Sequence, residues 1–292
     1  MRSRITRLVA SLVLSATVAG ATIWLGVAGA ATHHQGQVDV LYAASLEDVM
    51  NLKVAAAFHR ATGYTLSGFP AGSTDLASEI RGRVRQGDVF ISAAPAVNAT
   101  LEGRKNGDWV SWFAPFATTS LVLGYNRSSG YAKALRSTPW YRVLAEPGLR
   151  LGFTDPKLDP KGVLTVAALR AAARRFHEPA LDRIASDQSD LFPEQDLVGR
   201  LQSGQLDAGF FYTVEASAAH IPTVSLKPIS ERATFTITVL NRAPHQAAAQ
   251  AFVRFLLSPA GARLLRGAGL SMLRPTLHGH GLPAALGGVI HR

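Results

Sequence analysis

Residues 37–50 read QVDVLYAASLEDVM, an apolar run that stops at Ser45 and passes straight into a helical pattern. Residues 68–80, GFPAGSTDLASEI, repeat the arrangement around Ser73. A strand that hands its chain to a helix start leaves backbone N–H groups without intrahelical partners, and a small hydroxyl residue at that corner adds one more donor. Two such corners side by side make a seat for an anion without side-chain charge. The same order of strand and helix recurs downstream, which predicts parallel βαβ units and an α/β fold.

Working outward, YTLSGF (64–69) leads into a helix from Thr74 to about Arg85, and DVFISAA (88–94) leads into one ending near Leu101. ATTSLVLGYN (117–126) is β-rich with no helix attached. A second α/β region follows: a helix over PWYRVLAEPG (139–148), a strand LRLGFTD (149–155), and a helix from Val163 to Phe176. QDLVGRLQSG (195–204) reads as a short helix, LDAGFFYTV (206–214) and TFTITVL (234–240) as strands, and 245–269 as an amphipathic helix broken at Pro259. This order predicts two α/β lobes, one from 37–116 plus 229–275 and the other from 117–228, with ligands bound in the cleft between them.

Ahead of the first strand, Arg2, Arg4 and Arg7 precede a nearly uncharged stretch from Leu8 to Ala28 and the small-residue run Ala28-Gly29-Ala30. That pattern fits an export signal cut after residue 30 and a periplasmic or extracytoplasmic protein. The apolar run is also about 20 residues long, so an uncleaved segment would tether the protein to a membrane. The 292 residues contain no cysteine, which rules out a lipid-anchored lipoprotein and any disulfide. The net charge of +10 becomes +7 without the three leader arginines, and the excess is scattered, as at Arg170, Arg174 and Arg175. No basic, aromatic-laced stripe of the kind that binds nucleic acid is present, whereas weak steering of anions suits such a surface.

Ser45 has a competing role, since S-L-E-D has the spacing of a helix capping box. Ser73 shifts the balance toward a site: Gly72 before it lets backbone amides turn to a ligand, and it ends the next parallel strand. In the second region, Asp159 of the loop TDPKLDPKG (154–162) can cap the helix that Pro160 opens, but it also stands at the carboxyl edge of a strand. Tyr212, Glu215 and His220 stand near another strand end, His220 as a plain surface or core histidine. HHQ (33–35) and HGH (278–280) read as mobile tails without the partners of a metal site. An exported hydrolase is disfavoured, because there is no G-x-S-x-G elbow, no H-E-x-x-H helix and no cysteine nucleophile. No cofactor is called for.

LYAASLEDVM, AGS (71–73), GDVFISAAP (87–95), WFAPFATTSLVLGYN (112–126), PWYRVL (139–144), GFTDPKLDPKG (152–162), LFPEQDLVGRLQSGQLDAGFFY (191–212) and FVRFLLSPAGARLL (252–265) together resemble bacterial extracellular solute-binding proteins of the molybdate/tungstate group, most of all the archaeal-type branch. The resemblance implies a two-lobed periplasmic-binding fold that closes over its ligand and delivers it to an ABC transporter permease, and the single cleft predicts a monomer. It further implies that Ser45 and Ser73 hold the oxyanion, while Asp159 and a second carboxylate near Tyr212 approach the metal centre. Molybdenum and tungsten can expand their coordination and sulfur in sulfate cannot, so such carboxylates would select against sulfate. The chain departs from the pattern at Phe211, where the second acid would stand, and Glu215 is the nearby substitute. Sulfate, phosphate or another small oxyanion is the alternative ligand.

Overall fold

The computed structural model describes residues 36–187 and 189–292. The leader and the HHQ stretch lie outside the described residues. Nine main strands form the framework: β1 (Gln37–Ala43), β2 (Thr65–Ala71), β3 (Val89–Ser92), β4 (Trp112–Tyr125), β5 (Leu151–Thr154), β6 (Leu191–Phe192), β7 (Ala208–Tyr212), β8 (Thr223–Ser225) and β9 (Arg232–Val239). Their hydrogen-bonded order is β2-β1-β3-β9-β4-β7-β5-β6, with β8 on β4.

β4 decides the architecture. Its first half, from Ala114 to Ser120, pairs antiparallel with β9, and its second half, from Leu121 to Tyr125, pairs antiparallel with β7. The register shifts between Pro115 and Ala117, a bulge that accommodates a proline lacking a ladder N–H. β3 opposes β9, and β1 and β2 run parallel to β3, so these three strands run in the sense of β4. β7 runs against β4, and β5 runs with β7. The carboxyl ends of β1, β2 and β3 therefore face the carboxyl ends of β5 and β7. One strand shared by two lobes thus creates a cleft lined from both sides by strand ends, the place where open α/β sheets bind ligands.

The elements read from the sequence are present with shifted bounds. The helix after β1 starts as a tight turn, Ala44–Leu46, passes through the wide-turn segment Met50–Val54 and becomes a regular helix at Ala55–Thr62. The helix placed at 163–176 begins earlier, at Pro160, because proline fits the first helical position. The helix of 139–148 is confined to Trp140–Leu144. The reading of HGH as a mobile tail is corrected: His278 and Gly279 pair with Phe113 and Trp112 of β4, and His278 stacks on Phe113 at 5.0 Å. Leu286 and Ile290 beyond it are buried in the core, and their apolar area holds the C-terminus down. The amphipathic helix Gln246–Leu257 buries Ala249, Phe252, Val253 and Leu256, and Phe252 meets Phe58 edge to face at 5.2 Å. Among the described residues no helix is long and apolar enough to cross a membrane.

In the second lobe, Asp207 fixes the starts of β5 and β7 relative to each other. It accepts from Arg150 N at 3.0 Å, Nε at 2.9 Å and Nη2 at 2.9 Å, and from Ser129 Oγ at 2.8 Å. These bonds from Arg150 hold its carboxyl down to about 2, below the usual aspartate range. Its stabilisation is complete above the unfolded value near 4 and is lost as pH falls through about 2. Asp207→Asn should therefore cost about 1–2 kcal/mol at pH 7, a figure reduced for the half-exposed Arg150. Thermal melts should show a loss of roughly 2–8 °C at pH 7 that closes as the pH approaches 2. Equal losses at both pH values would refute the charge assignment.

Candidate functional site

At the end of β1 the chain turns so that the amides of Ala44 and Ser45 point out of the first lobe. Both are taken by a carboxylate of the second lobe: Glu194 Oε2 accepts from Ala44 N, and Oε1 from Ser45 N, each at 3.1 Å. The Ser45 hydroxyl is buried and has no hydrogen-bond partner. The capping box that S-L-E-D permits is not formed, since no side chain caps that turn or the helical turn after it.

The end of β2 is built alike. Ser73 opens the helix Ser73–Arg81, fully buried, and its Oγ accepts from Ala93 N beyond β3 at 3.0 Å. That bond ties the two strand ends together. The next amides, Thr74 and Asp75, donate to the carbonyl of Leu158 in the second lobe at 3.1 and 3.0 Å. Gly72 permits this approach: a Cβ there would stand 2.6 Å from the Leu158 oxygen, inside contact distance. Both helix-start seats of the first lobe therefore hold oxygen acceptors from the second, one of them a carboxylate.

From the other side come three acids and a lysine. Asp159 caps the helix Pro160–Phe176, its Oδ1 accepting from Lys161 N at 3.1 Å, while its buried Oδ2 has no partner. Gly162 lets this helix start against β5, because a Cβ there would meet the Thr154 carbonyl. Lys161, with none of its surface exposed, donates Nζ to Glu215 Oε1 at 2.7 Å and Oε2 at 3.0 Å. The same ammonium lies 3.3 Å from Glu194 Oε1. Tyr212 ends β7 fully buried, with its hydroxyl unpartnered.

The electrostatics follow from burial. Burial works against the Lys161 ammonium, but Glu215, Glu194 and Asp159 outweigh it and hold its proton more firmly than in water. Burial pushes Glu194 up to about 8, with Asp159 and Glu215 adding to the shift and Lys161 opposing it. Asp159 and Glu215 also rise by burial against the pull of Lys161. Burial and the three carboxylates push the Tyr212 phenol well above its usual range, so it stays a neutral hydroxyl. Burying three full negative charges around one ammonium is unfavourable, and a shared proton on the Glu194 side relieves it.

Among the described residues the buried Ser45 Oγ, Asp159 Oδ2 and Tyr212 Oη are left without a clear partner, and Thr154 stands beside the Asp159 carboxyl. Each such atom costs about 1–3 kcal/mol unless something satisfies it. A cavity of about 320 Å³, lined by Gly72, Thr154, Asp159, Phe192 and Glu194 among others, reaches this place from one side. The arrangement can receive an oxygen-rich group through neutral hydroxyls, backbone amides and one cation. Among the described residues no side chain is hydrogen-bonded to the Ser45 hydroxyl, and Ser73 Oγ accepts from an amide.

Ser45, Asp159, Tyr212 and Glu215, named from the sequence, all reach this region, and Ser73 braces it. His220 is exposed. Sequence reasoning missed Lys161 and Glu194. A signal for Glu194 was present in Phe192-Pro193-Glu194, a strand end followed by a proline and an acid in the first turn of a helix.

Comparison with known proteins places the chain in a family. The profile of the bacterial extracellular solute-binding protein family matches residues 38–271. A solute-binding protein of Halobacterium salinarum is 30% identical over 296 residues, spanning 89% of this chain and 92% of the relative. The molybdate/tungstate-binding protein WtpA of Pyrococcus abyssi is 23% identical over 239 residues, spanning 63% of this chain and 68% of the relative. The periplasmic molybdate-binding protein of Azotobacter vinelandii superposes with a TM-score of 0.64 at 19% identity, over 81% of this chain and 99% of that one, a likeness of fold. A match over most of the chain, with the strand-end cleft in place, makes this protein a member of the bacterial extracellular solute-binding protein family, with the two-lobed fold of periplasmic binding proteins.

Proposed function

We propose that the chain captures a tetrahedral metal oxyanion, molybdate or tungstate, between its lobes outside the cytoplasm and presents it to the permease of an ABC importer. The observation that carries this is the pair of amides of Ala44 and Ser45, which already bind a carboxylate side by side with an unpartnered buried hydroxyl. A seat that accepts two oxygens of Glu194 has the geometry to accept two oxygens of an oxyanion. The names of the relatives point the same way.

In this reading Ser45 and Tyr212 donate hydroxyls to the anion, Ser73 holds β2 and β3 in place, and Asp159 Oδ2 approaches the metal centre. The lobes are 37–116 with 229–275, and 117–228, hinged where β4 changes partner. Residues 1–30 serve as the export signal, the binding stoichiometry is one to one, and the protein acts as a monomer without catalysis.

A second reading, capture of sulfate or phosphate by neutral donors alone, is favoured by one observation. Glu215 gives both oxygens to Lys161, so only Asp159 keeps an oxygen free for a metal centre.

Titration with molybdate, tungstate, sulfate and phosphate separates these readings. At about 100 times its dissociation constant the true ligand should add roughly 2.7 kcal/mol, a melting shift of about 5–10 °C. No shift with any of the four would refute oxyanion capture. Ser45→Ala should weaken binding by roughly ten- to a hundredfold, the worth of a hydrogen bond to a charged acceptor. Unchanged affinity would place the anion elsewhere. Asp159→Asn should weaken molybdate and tungstate while leaving sulfate the same or tighter, because lost metal bonding affects only the first two. A parallel change for all of them would favour the second reading.

A further inference from the structure

Glu194 belongs to the second lobe, on the first turn of the helix Glu194–Gln202, yet its carboxylate lies in the first lobe's anion seat. We infer that Glu194 is an internal occupant of the oxyanion seat, a specificity-determining side chain that an incoming oxyanion must displace from the amides of Ala44 and Ser45. The inference rests on the proposed oxyanion site and adds to it the rule for entry.

The geometry is that of a substrate mimic. Each carboxylate oxygen takes one amide at 3.1 Å, and Oε1 also faces Lys161 Nζ at 3.3 Å. An oxyanion on the same two amides would meet these oxygens at less than contact distance, so the two exclude each other. Only a ligand that binds the seat better than a tethered carboxylate succeeds. A tethered group competes at high effective concentration, so weak anions such as chloride are excluded.

The charged and titratable groups facing Glu194 are Asp159 and Lys161 from the Pro160 helix, Tyr212 from β7 and Glu215 from the helix after it. Asp75 and Asp155 line the same cavity. In this surrounding burial raises the Glu194 carboxyl to about 8, so its negative charge grows as pH rises through that region. The charged form holds the amides and Lys161 more strongly and repels a dianion. The neutral form yields the seat and can donate its proton to an anion oxygen. Oxyanion binding should then fall as pH rises through about 8, by up to roughly tenfold per pH unit for a single linked proton.

The test compares wild type with Glu194→Gln, which keeps the shape and removes the charge. Calorimetric titrations with molybdate, tungstate and sulfate are run at pH 6.5 and pH 8.5. Amide hydrogen exchange at Ala44 and Ser45 is followed without ligand for wild type and Glu194→Ala. Expected are a tenfold or greater tightening of every oxyanion that binds wild type in Glu194→Gln at pH 8.5, a smaller gain at pH 6.5, and faster exchange of both amides in Glu194→Ala. Unchanged or weakened binding in Glu194→Gln overturns the inference while oxyanion capture stands. Weakening confined to molybdate and tungstate would instead make Glu194 a bond to the metal centre. If no oxyanion binds either protein, the site reading has failed, and exchange alone decides: unaltered protection of Ala44 and Ser45 in Glu194→Ala means the carboxylate does not occupy them. Should Glu194→Ala melt below the assay temperature, Glu194→Asp, whose shorter arm draws back from the seat, takes its place with the same expected direction.

Discussion

The ammonium of Lys161, wholly removed from solvent, is the charge around which the cleft is organised. Two carboxyl groups converge on it, Glu215 at 2.7 Å and Glu194 at 3.3 Å, and the charge of Asp159, which accepts from the backbone amide of the same lysine, adds to their hold. Removing a lysine from water is costly, and only close opposite charge repays it. The converse also holds: without Lys161 the three acids would leave uncompensated negative charge in a buried place. This balance lets acids line the cleft proposed for an anion, because one proton and one ammonium offset most of the charge that burial would penalise.

The placement of these groups follows from topology. β4 serves β9 with its first half and β7 with its second, so the strands on either side run in opposite senses. Strand ends of both lobes must then look into one cleft, and each delivers a helix start with free amides or a capping side chain. In the described structure each lobe satisfies the other: Glu194 covers the seat at Ser45 and the Leu158 carbonyl covers the seat at Ser73. Contacts of this kind cross the cleft and hold the lobes together, and in the proposed reading they are the contacts that ligand entry exchanges.

The sequence carried the fold almost completely, because hydrophobic period and turn residues are local signals. The strand ends at Ala43, Ala71, Thr154 and Tyr212 are visible in the alternation from apolar run to helical pattern. Ser45 and Glu215 could be named because they stand just past such ends, Tyr212 because it is one, and Asp159 because it stands in the loop after another. Lys161 was out of reach, since a lysine in a helix's first turn ordinarily points to water and its burial depends on three acids brought from distant segments. Glu194 was hidden by its pairing: which lobe's amides it meets is a fact of how the lobes close. HGH was misread for a related reason, as its pairing with β4 lies more than 150 residues away in the chain. Long-range partners leave no trace in local periodicity.

The central claim is that an oxyanion sits on the amides of Ala44 and Ser45 in the interlobe cleft. The most direct measurement is a crystal structure of the protein grown with tungstate, with diffraction recorded at the tungsten absorption edge to locate the metal by anomalous scattering. The account predicts a single strong tungsten peak between Ser45 and Asp159, with oxyanion oxygens on the Ala44 and Ser45 amides and the Glu194 carboxylate moved off them. A tungsten peak elsewhere on the molecule, with Glu194 still bound to those two amides, would contradict it.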